Sequence, residues 1–237
     1  MNIITNHNKL LTALKHAERF VAKNITLPIL GTILLRAEKG NLILSATNLE
    51  IGINYKIGAK IEKEGLIAVP ARVLSDFISA VNDEKITLKS EKQILYIQSE
   101  HYKTQILGMK TDEFPIIPIF SSESKIEIPS HVLRSKLSAV FDATSVSEIR
   151  PELSGVYVHV AKSGIDFAAT DSFRLSEASS LINGNDMPPF IIPRNAVMEM
   201  IRLTEESEAL ITVMTTENQL LMKGEDFELV SRLIDGR

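Results

Sequence analysis

"SATNLEIGI" (Ser45–Ile53) and "AATDSFRLSEA" (Ala168–Ala178) carry one phrase twice: Ala-Thr, then Asn or Asp, with an apolar residue and a charge close behind. Thr47 and Thr170 lie 123 positions apart, and so do Asn48 and Asp171. The same offset joins Pro28 to Pro151, Leu30 to Leu153 and Pro70 to Pro193. It also joins Leu10 to Leu133 and Leu14 to Leu137. Matches at one offset, in order, from the first helix-like segment onward are the mark of a tandem duplication. The polar stretch "FSSESK" (Phe120–Lys125) marks the boundary, giving modules 1–121 and 122–237. Asp112 maps to Asp235 at this offset, so the chain is expected to stop about where a further linker would begin.

Composition narrows the chemistry. Apolar residues make up 44% of the chain and charged residues 24%, enough to bury real cores. There is no cysteine, which excludes disulfides, thiol catalysis and thiolate metal sites and suits a reducing cytoplasm. No run of 18 apolar residues occurs, so no membrane span is expected, and the start of the chain has no signal-peptide pattern. The net charge of -4 speaks against indiscriminate nucleic-acid binding, so the placement of cations matters more than their sum.

Each module reads as α+β. "HNKLLTALKHAERFVAK" puts Leu10, Leu14, Ala17 and Val21 on one helical face, with Asn6 or Asn8 as cap. "SHVLRSKLSAVFDA" repeats the pattern with Leu133, Leu137, Val140 and Phe141, with Ser130 as cap. A second helix opens at a proline in each module, in "PARVLSDFISAV" and "PRNAVMEMIRL". "IGINYKIG", "GVYVHVA" and "FELVS" alternate as strands, and "KITLKS" and "QILYIQS" flank a hairpin at Ser90–Lys92. Two helices packed on antiparallel sheets per module is the expected fold.

The ordered set "LPILGTILL", "ATNLEIGI", "VPARVLSDFI", "DEFP", "RPELSG", "AATDSFRL", "IIPRNAVMEMI" and "SRLIDGR" resembles the bacterial DNA polymerase III beta subunit family, the replicative sliding clamps. The resemblance covers the whole chain. It implies clamp modules whose sheets form an outer wall and whose helices line a hole around double-stranded DNA. Family chains carry three such modules, and two match here. The resemblance also implies a head-to-tail homodimer ring in the full-length form, an ATP-driven clamp loader, and a tethered replicative polymerase.

The cations fit that picture. Lys15, Arg19 and Lys23 recur every four residues on the first helix, away from the Leu10/Leu14 stripe. Arg72 opens the second helix, Arg134 and Lys136 sit on the third, and Arg194 and Arg202 on the fourth. These eight are expected to face phosphates, with Asp76 and Glu199 turned away or tempering the field. No set of side chains for reading base edges is evident, as a sliding protein requires.

By resemblance, the second copy of the phrase belongs to a partner-binding pocket. Thr170, Ser172, Phe173, Arg174 and Leu175 match its wall and Leu153 its apolar floor, for partners that insert a Gln-Leu-x-Leu-Phe-type segment. Phe173 stands where the family commonly has His. The first copy has Glu50-Ile51 in place of Arg-Leu and is expected to be structural only. The ring contact is expected on the "YKTQILGM" edge, through Ile106, with Arg72, Val73 and Phe77 nearby. The chain alone is expected to be monomeric or weakly self-associating.

No cofactor or metal is expected: there is no Gly-rich phosphate loop, no His pair at ligand spacing and no Ser/His/Asp order, and the five histidines are scattered. A non-catalytic subunit of a DNA polymerase holoenzyme is the resulting reading. The alternative is a tandem-repeat protein-binding adaptor that does not bind DNA.

Overall fold

The computed structural model describes residues 1–22, 27–147, 149–182, 184–205 and 208–236. The chain divides into two units, Met1–Ile117 and Pro118–Arg237.

Unit 1 contains β1 (Asn2–Asn6), α1 (His7–Ala17), β2 (Thr32–Glu38), β3 (Asn41–Thr47), β4 (Ile51–Gly58), β5 (Lys60–Lys63), β6 (Gly65–Pro70), α2 (Ala71–Ala80), β7 (Lys85–Glu91), β8 (Ile94–Gln98) and β9 (Lys103–Leu107). One antiparallel sheet runs β5-β1-β7-β8-β9, and the strands β4-β3-β2-β6 pair in a second. Alternation explains the strands: Ile51, Ile53 and Ile57 of β4 are buried while Lys56 and Gly58 point out. The helices lie on this framework by their apolar faces. α1 buries Leu10, Ala13, Leu14 and Ala17, and α2 buries Ala71, Leu74, Ser75 and Ile78.

Unit 2 repeats the order with β10 (Lys125–Pro129), α3 (Ser130–Phe141), β11 (Gly155–Ala161), β12 (Gly164–Thr170), β13 (Leu175–Ser180), β14 (Phe190–Pro193), α4 (Arg194–Leu203), β15 (Leu210–Thr215), β16 (Gln219–Lys223) and β17 (Phe227–Arg232). Its strands pair as β10-β15-β16-β17 and β13-β12-β11-β14, all antiparallel. Its core includes a small, wholly apolar cavity between Ile128, Leu133, Val158, Phe167, Met200 and Val213. Among the described residues, no helix of the chain is long and apolar enough to cross a membrane.

The duplication is visible bond by bond. The His7 N–H donates to the Glu84 carbonyl (2.8 Å), and the Ser130 N–H to the Ala209 carbonyl (3.0 Å). The offset is 123 from β1/β10 through α2/α4 but 125 from β7/β15 onward. The cause is a longer link after α4, 204–209 against 81–84. The register is therefore not gap-free, and Asp235 corresponds to Lys110 rather than to Asp112.

One helix start agrees with the sequence reading and three differ from it. Asn6 caps α1, accepting the Lys9 N–H at 3.2 Å. Ser130 is already helical, and Pro129 holds the capping position without a side-chain bond. Pro70 and Pro193 likewise end strands and precede α2 and α4.

Candidate functional site

The repeated phrase folds into the same turn in both units. In unit 1 the Thr47 hydroxyl donates to the Ile51 carbonyl (2.8 Å) and accepts the Leu49 N–H (3.0 Å). Asn48 Oδ1 accepts the N–H groups of Glu50 (3.0 Å) and Ile51 (2.9 Å). In unit 2 the Thr170 hydroxyl donates to the Arg174 carbonyl (2.8 Å) and accepts the Ser172 N–H (3.1 Å). Asp171 Oδ1 accepts the N–H groups of Phe173 and Arg174, both at 3.0 Å. These side chains replace a backbone turn, as Thr, Asn and Asp do where a strand must reverse. The geometry forces the middle residue into the left-handed region: φ is +77° at Leu49 and +76° at Ser172.

Matched this way, Glu50 stands opposite Phe173, Ile51 opposite Arg174 and Gly52 opposite Leu175. The comparison of Glu50-Ile51 with Arg-Leu is thus one residue out of register. Unit 2 adds one bond, from Arg174 Nε to Asp171 Oδ2 at 2.9 Å. The Arg174 and Phe173 N–H groups, with the guanidinium beside them, hold the Asp171 carboxyl below the usual carboxylate range.

In unit 1, Ile29, Leu30, Leu34 and Ala68 form a buried cluster covered by Met109 and Phe114. A Cβ on Gly52 would sit 3.2 Å from the Ile117 side chain, while Leu49 at the tip of the turn is 47% exposed. In unit 2, Phe173 is 97% exposed and Leu175 64%, and Leu153, the counterpart of Leu30, is only half-buried. The β11–β12 ladder brings the start of β11, just after Leu153, beside the end of β12 at Thr170. Leu153, Thr170, Ser172, Phe173, Arg174 and Leu175 thus gather at one end of one sheet. Asp171, which shapes the turn, was legible as the repeat of Asn48.

The helix cations fall into different circumstances. Lys15 and Arg19 are exposed, and Lys23 lies outside the described residues. Arg72 is exposed and pairs loosely with Asp76 (3.7 Å). Arg134 donates to the carbonyls of Thr204 (3.1 Å) and Glu205 (2.6 Å). Arg194 donates to the Phe141 carbonyl (3.0 Å) and to the Thr144 hydroxyl, with its guanidinium 4.1 Å from the centre of the Phe141 ring. Arg202 is bound to the buried carboxylate of Glu199, and Lys136 is half-buried.

Residues 1–118 match the family model for the DNA polymerase III beta subunit, N-terminal domain, and residues 127–237 match the model for its central domain. The chain belongs to the DNA polymerase III beta subunit family. It is 29% identical over 260 residues to the beta sliding clamp of Synechocystis sp., covering 100% of this chain and 66% of that one. The figures for the beta sliding clamp of Buchnera aphidicola are 28% over 240 residues, 100% and 66%. Among solved structures, the beta subunit from Thermotoga maritima matches with a TM-score of 0.92 at 26% identity, covering 100% of this chain and 65% of that one. The sliding clamp from Bartonella birtlesii bound to griselimycin matches at 0.95 and 27%, covering 100% and 66%. The chain spans 65–66% of the length of the curated beta sliding clamps it matches.

Within this beta-clamp fold, the β9 edge corrects one expectation. Ile106 is 5% exposed and faces its own core, whereas Leu107 is 71% exposed. An apolar contact on this edge would have to use Leu107, because successive side chains of a strand point to opposite faces. Val73 is 52% exposed and Phe77 half-buried on α2.

A His–carboxylate cluster lies on the same unit, where the α2–β7 link meets the β8–β9 turn. Asp83 Oδ2 accepts the His101 N–H (2.9 Å), and His101 Nδ1 lies 2.7 Å from Asp83 Oδ1. Glu100 is close enough that the three ligand atoms fall within 4.8 Å of one another. Hydrogen bonds from Ser99 and His101 pull the Asp83 carboxyl down to about 2, and Asp83 raises His101 above its ordinary value. With both carboxylate oxygens engaged by His101, the cluster fastens the hairpin.

Proposed function

We propose that this chain is part of a bacterial sliding clamp: a ring-forming processivity factor that encircles duplex DNA without sequence specificity and tethers the replicative polymerase. The observation that carries this reading is the gathering of Leu153, Thr170, Ser172, Phe173, Arg174 and Leu175 at one end of one sheet inside a beta-clamp fold. There Phe173 and Leu175 are exposed and Leu153 is half-buried. An apolar floor beside a polar turn suits a small anchor site for a short extended peptide. Polymerase and clamp loader are the proposed partners, through Gln-Leu-x-Leu-Phe-type segments. The chain's role is non-catalytic, its place the cytoplasm, and the full-length form closes as a head-to-tail homodimer.

Asymmetric use of the helix cations gives some support to a second reading, an adaptor that binds protein but not DNA, since Arg134 and Arg194 bond to backbone carbonyls. For the peptide site, fluorescence anisotropy with a labelled Gln-Leu-x-Leu-Phe peptide is the test. The wild-type chain should bind weakly, and Leu153→Asp should weaken binding at least tenfold while leaving the far-UV spectrum unchanged. Equal binding by Leu153→Asp would contradict the assigned floor.

A further inference from the structure

The duplication allows each helix cation to be compared with its own counterpart. Lys15 on α1 and Arg19 in the short 3-10 turn just after it are exposed and four residues apart. Among the described residues, neither side chain makes a hydrogen bond or ion pair. At the matching positions, 123 residues on, α3 carries Ser138 and the residue after it is Asp142, both exposed. The basic strip of unit 1 is thus neutral to acidic in unit 2.

The arginines of unit 2 are engaged elsewhere. Arg134, in the first half of α3, donates to Thr204 and Glu205 carbonyls at the end of α4. Arg194, the first residue of α4, donates to the Phe141 carbonyl at the end of α3 and stacks on the Phe141 ring. Each helix therefore sends an arginine to the carbonyl end of the other, where unpaired C=O groups and the negative end of the helix dipole favour a cation. The matching residues in unit 1 are Leu11 and Ala71, which cannot do this. There the task falls to His7, whose Nε2–H donates to the Ile78 carbonyl near the end of α2 at 2.8 Å. Arg202 is tied to buried Glu199. Lys136 occupies the position matching buried Ala13, on a different face from Lys15.

We infer that the grip on duplex DNA is asymmetric: unit 1 supplies the phosphate contacts through Lys15 and Arg19, and the unit 2 arginines Arg134 and Arg194 join α3 to α4 instead. The inference rests on the clamp reading. A guanidinium with its N–H groups on carbonyls has to break those bonds before it can reach a phosphate. An exposed, unbonded Lys–Arg pair does not, and each phosphate it neutralises releases counterions.

The test is the salt dependence of duplex binding by the 237-residue chain, read by anisotropy of a fluorescein-labelled 24-bp duplex from about 20 mM salt upward, since affinity falls steeply with salt. Removing two phosphate contacts should lower the log–log slope by about 1.8. Lys15→Ala/Arg19→Ala is expected to show that loss. Adding Ser138→Lys/Asp142→Arg to that variant should restore the slope, because both positions are on the surface. Arg134→Ala and Arg194→Ala should lower the melting temperature and leave the slope within about 0.3 of wild type, well short of the ~0.9 expected per lost contact. An unchanged slope in Lys15→Ala/Arg19→Ala would overturn the inference. So would an equal slope loss in Arg134→Ala or Arg194→Ala at a temperature where they remain folded. If the wild type fails to bind the duplex even at low salt, the DNA half of the clamp reading falls along with the inference, whereas the peptide assay stands or falls separately.

Discussion

Asp171 and Asn48 perform one task with different chemistry. Each places a side-chain oxygen where two successive N–H groups converge, and each sits two positions before the end of a turn whose middle residue has a positive φ. The carboxylate has a second oxygen to offer, and Arg174 takes it. This extra bond fixes Arg174 along the wall of the unit 2 turn, where unit 1 has buried Ile51. The His101–Asp83 pair shows the same economy. Its histidine contribution is full below the ordinary imidazole range, about 6.5, and is lost as pH rises through the raised value. Its aspartate contribution is present above about 3.9 and is lost as pH falls through about 2. Asp83→Asn should therefore bring the His101 titration midpoint down toward about 6.5 in an NMR pH series. An unmoved midpoint would remove Asp83 as the cause.

At the scale of elements, helical periodicity carried most of the information. Leu10/Leu14 and Leu133/Leu137 mark the buried faces of α1 and α3, and Leu74/Ile78 that of α2. Leu74→Ala should cost about 2–5 kcal/mol by urea denaturation, since the side chain is wholly buried. Val73→Ala next to it, 52% exposed, should change stability by no more than about 0.5 kcal/mol. Equal losses would mean the helix face has been misplaced. What sequence could not supply were facts set by distant partners. Ile106 and Leu107 are both apolar, so only the β8–β9 register decides which one faces inward. Arg134 and Arg194 read as surface cations because the carbonyls they bind lie 50 or more positions away in sequence. Ser130 looked like a cap because Pro129, which ends β10, had no helical signal of its own.

At the scale of the whole molecule, the duplication was legible because proline, threonine and leucine recur where turns and cores need them. The two-residue slip after α4 was not, since the seven pairs that set the offset lie before it and Asp235 happens to repeat Asp112 beyond it. Nor could sequence place Met109 and Phe114 against the Leu30 cluster, or Ile117 against Gly52, in unit 1. The central claim is that a duplicated turn has kept its bonding and changed its role. The most direct measurement is a backbone amide NMR titration of isotope-labelled chain with a Gln-Leu-x-Leu-Phe peptide up to millimolar concentration. The account predicts shifts centred on Leu153 and Thr170–Leu175, none at Thr47–Gly52, and their loss in Leu153→Asp. Shifts of equal size at both turns, or none at millimolar peptide, would contradict it.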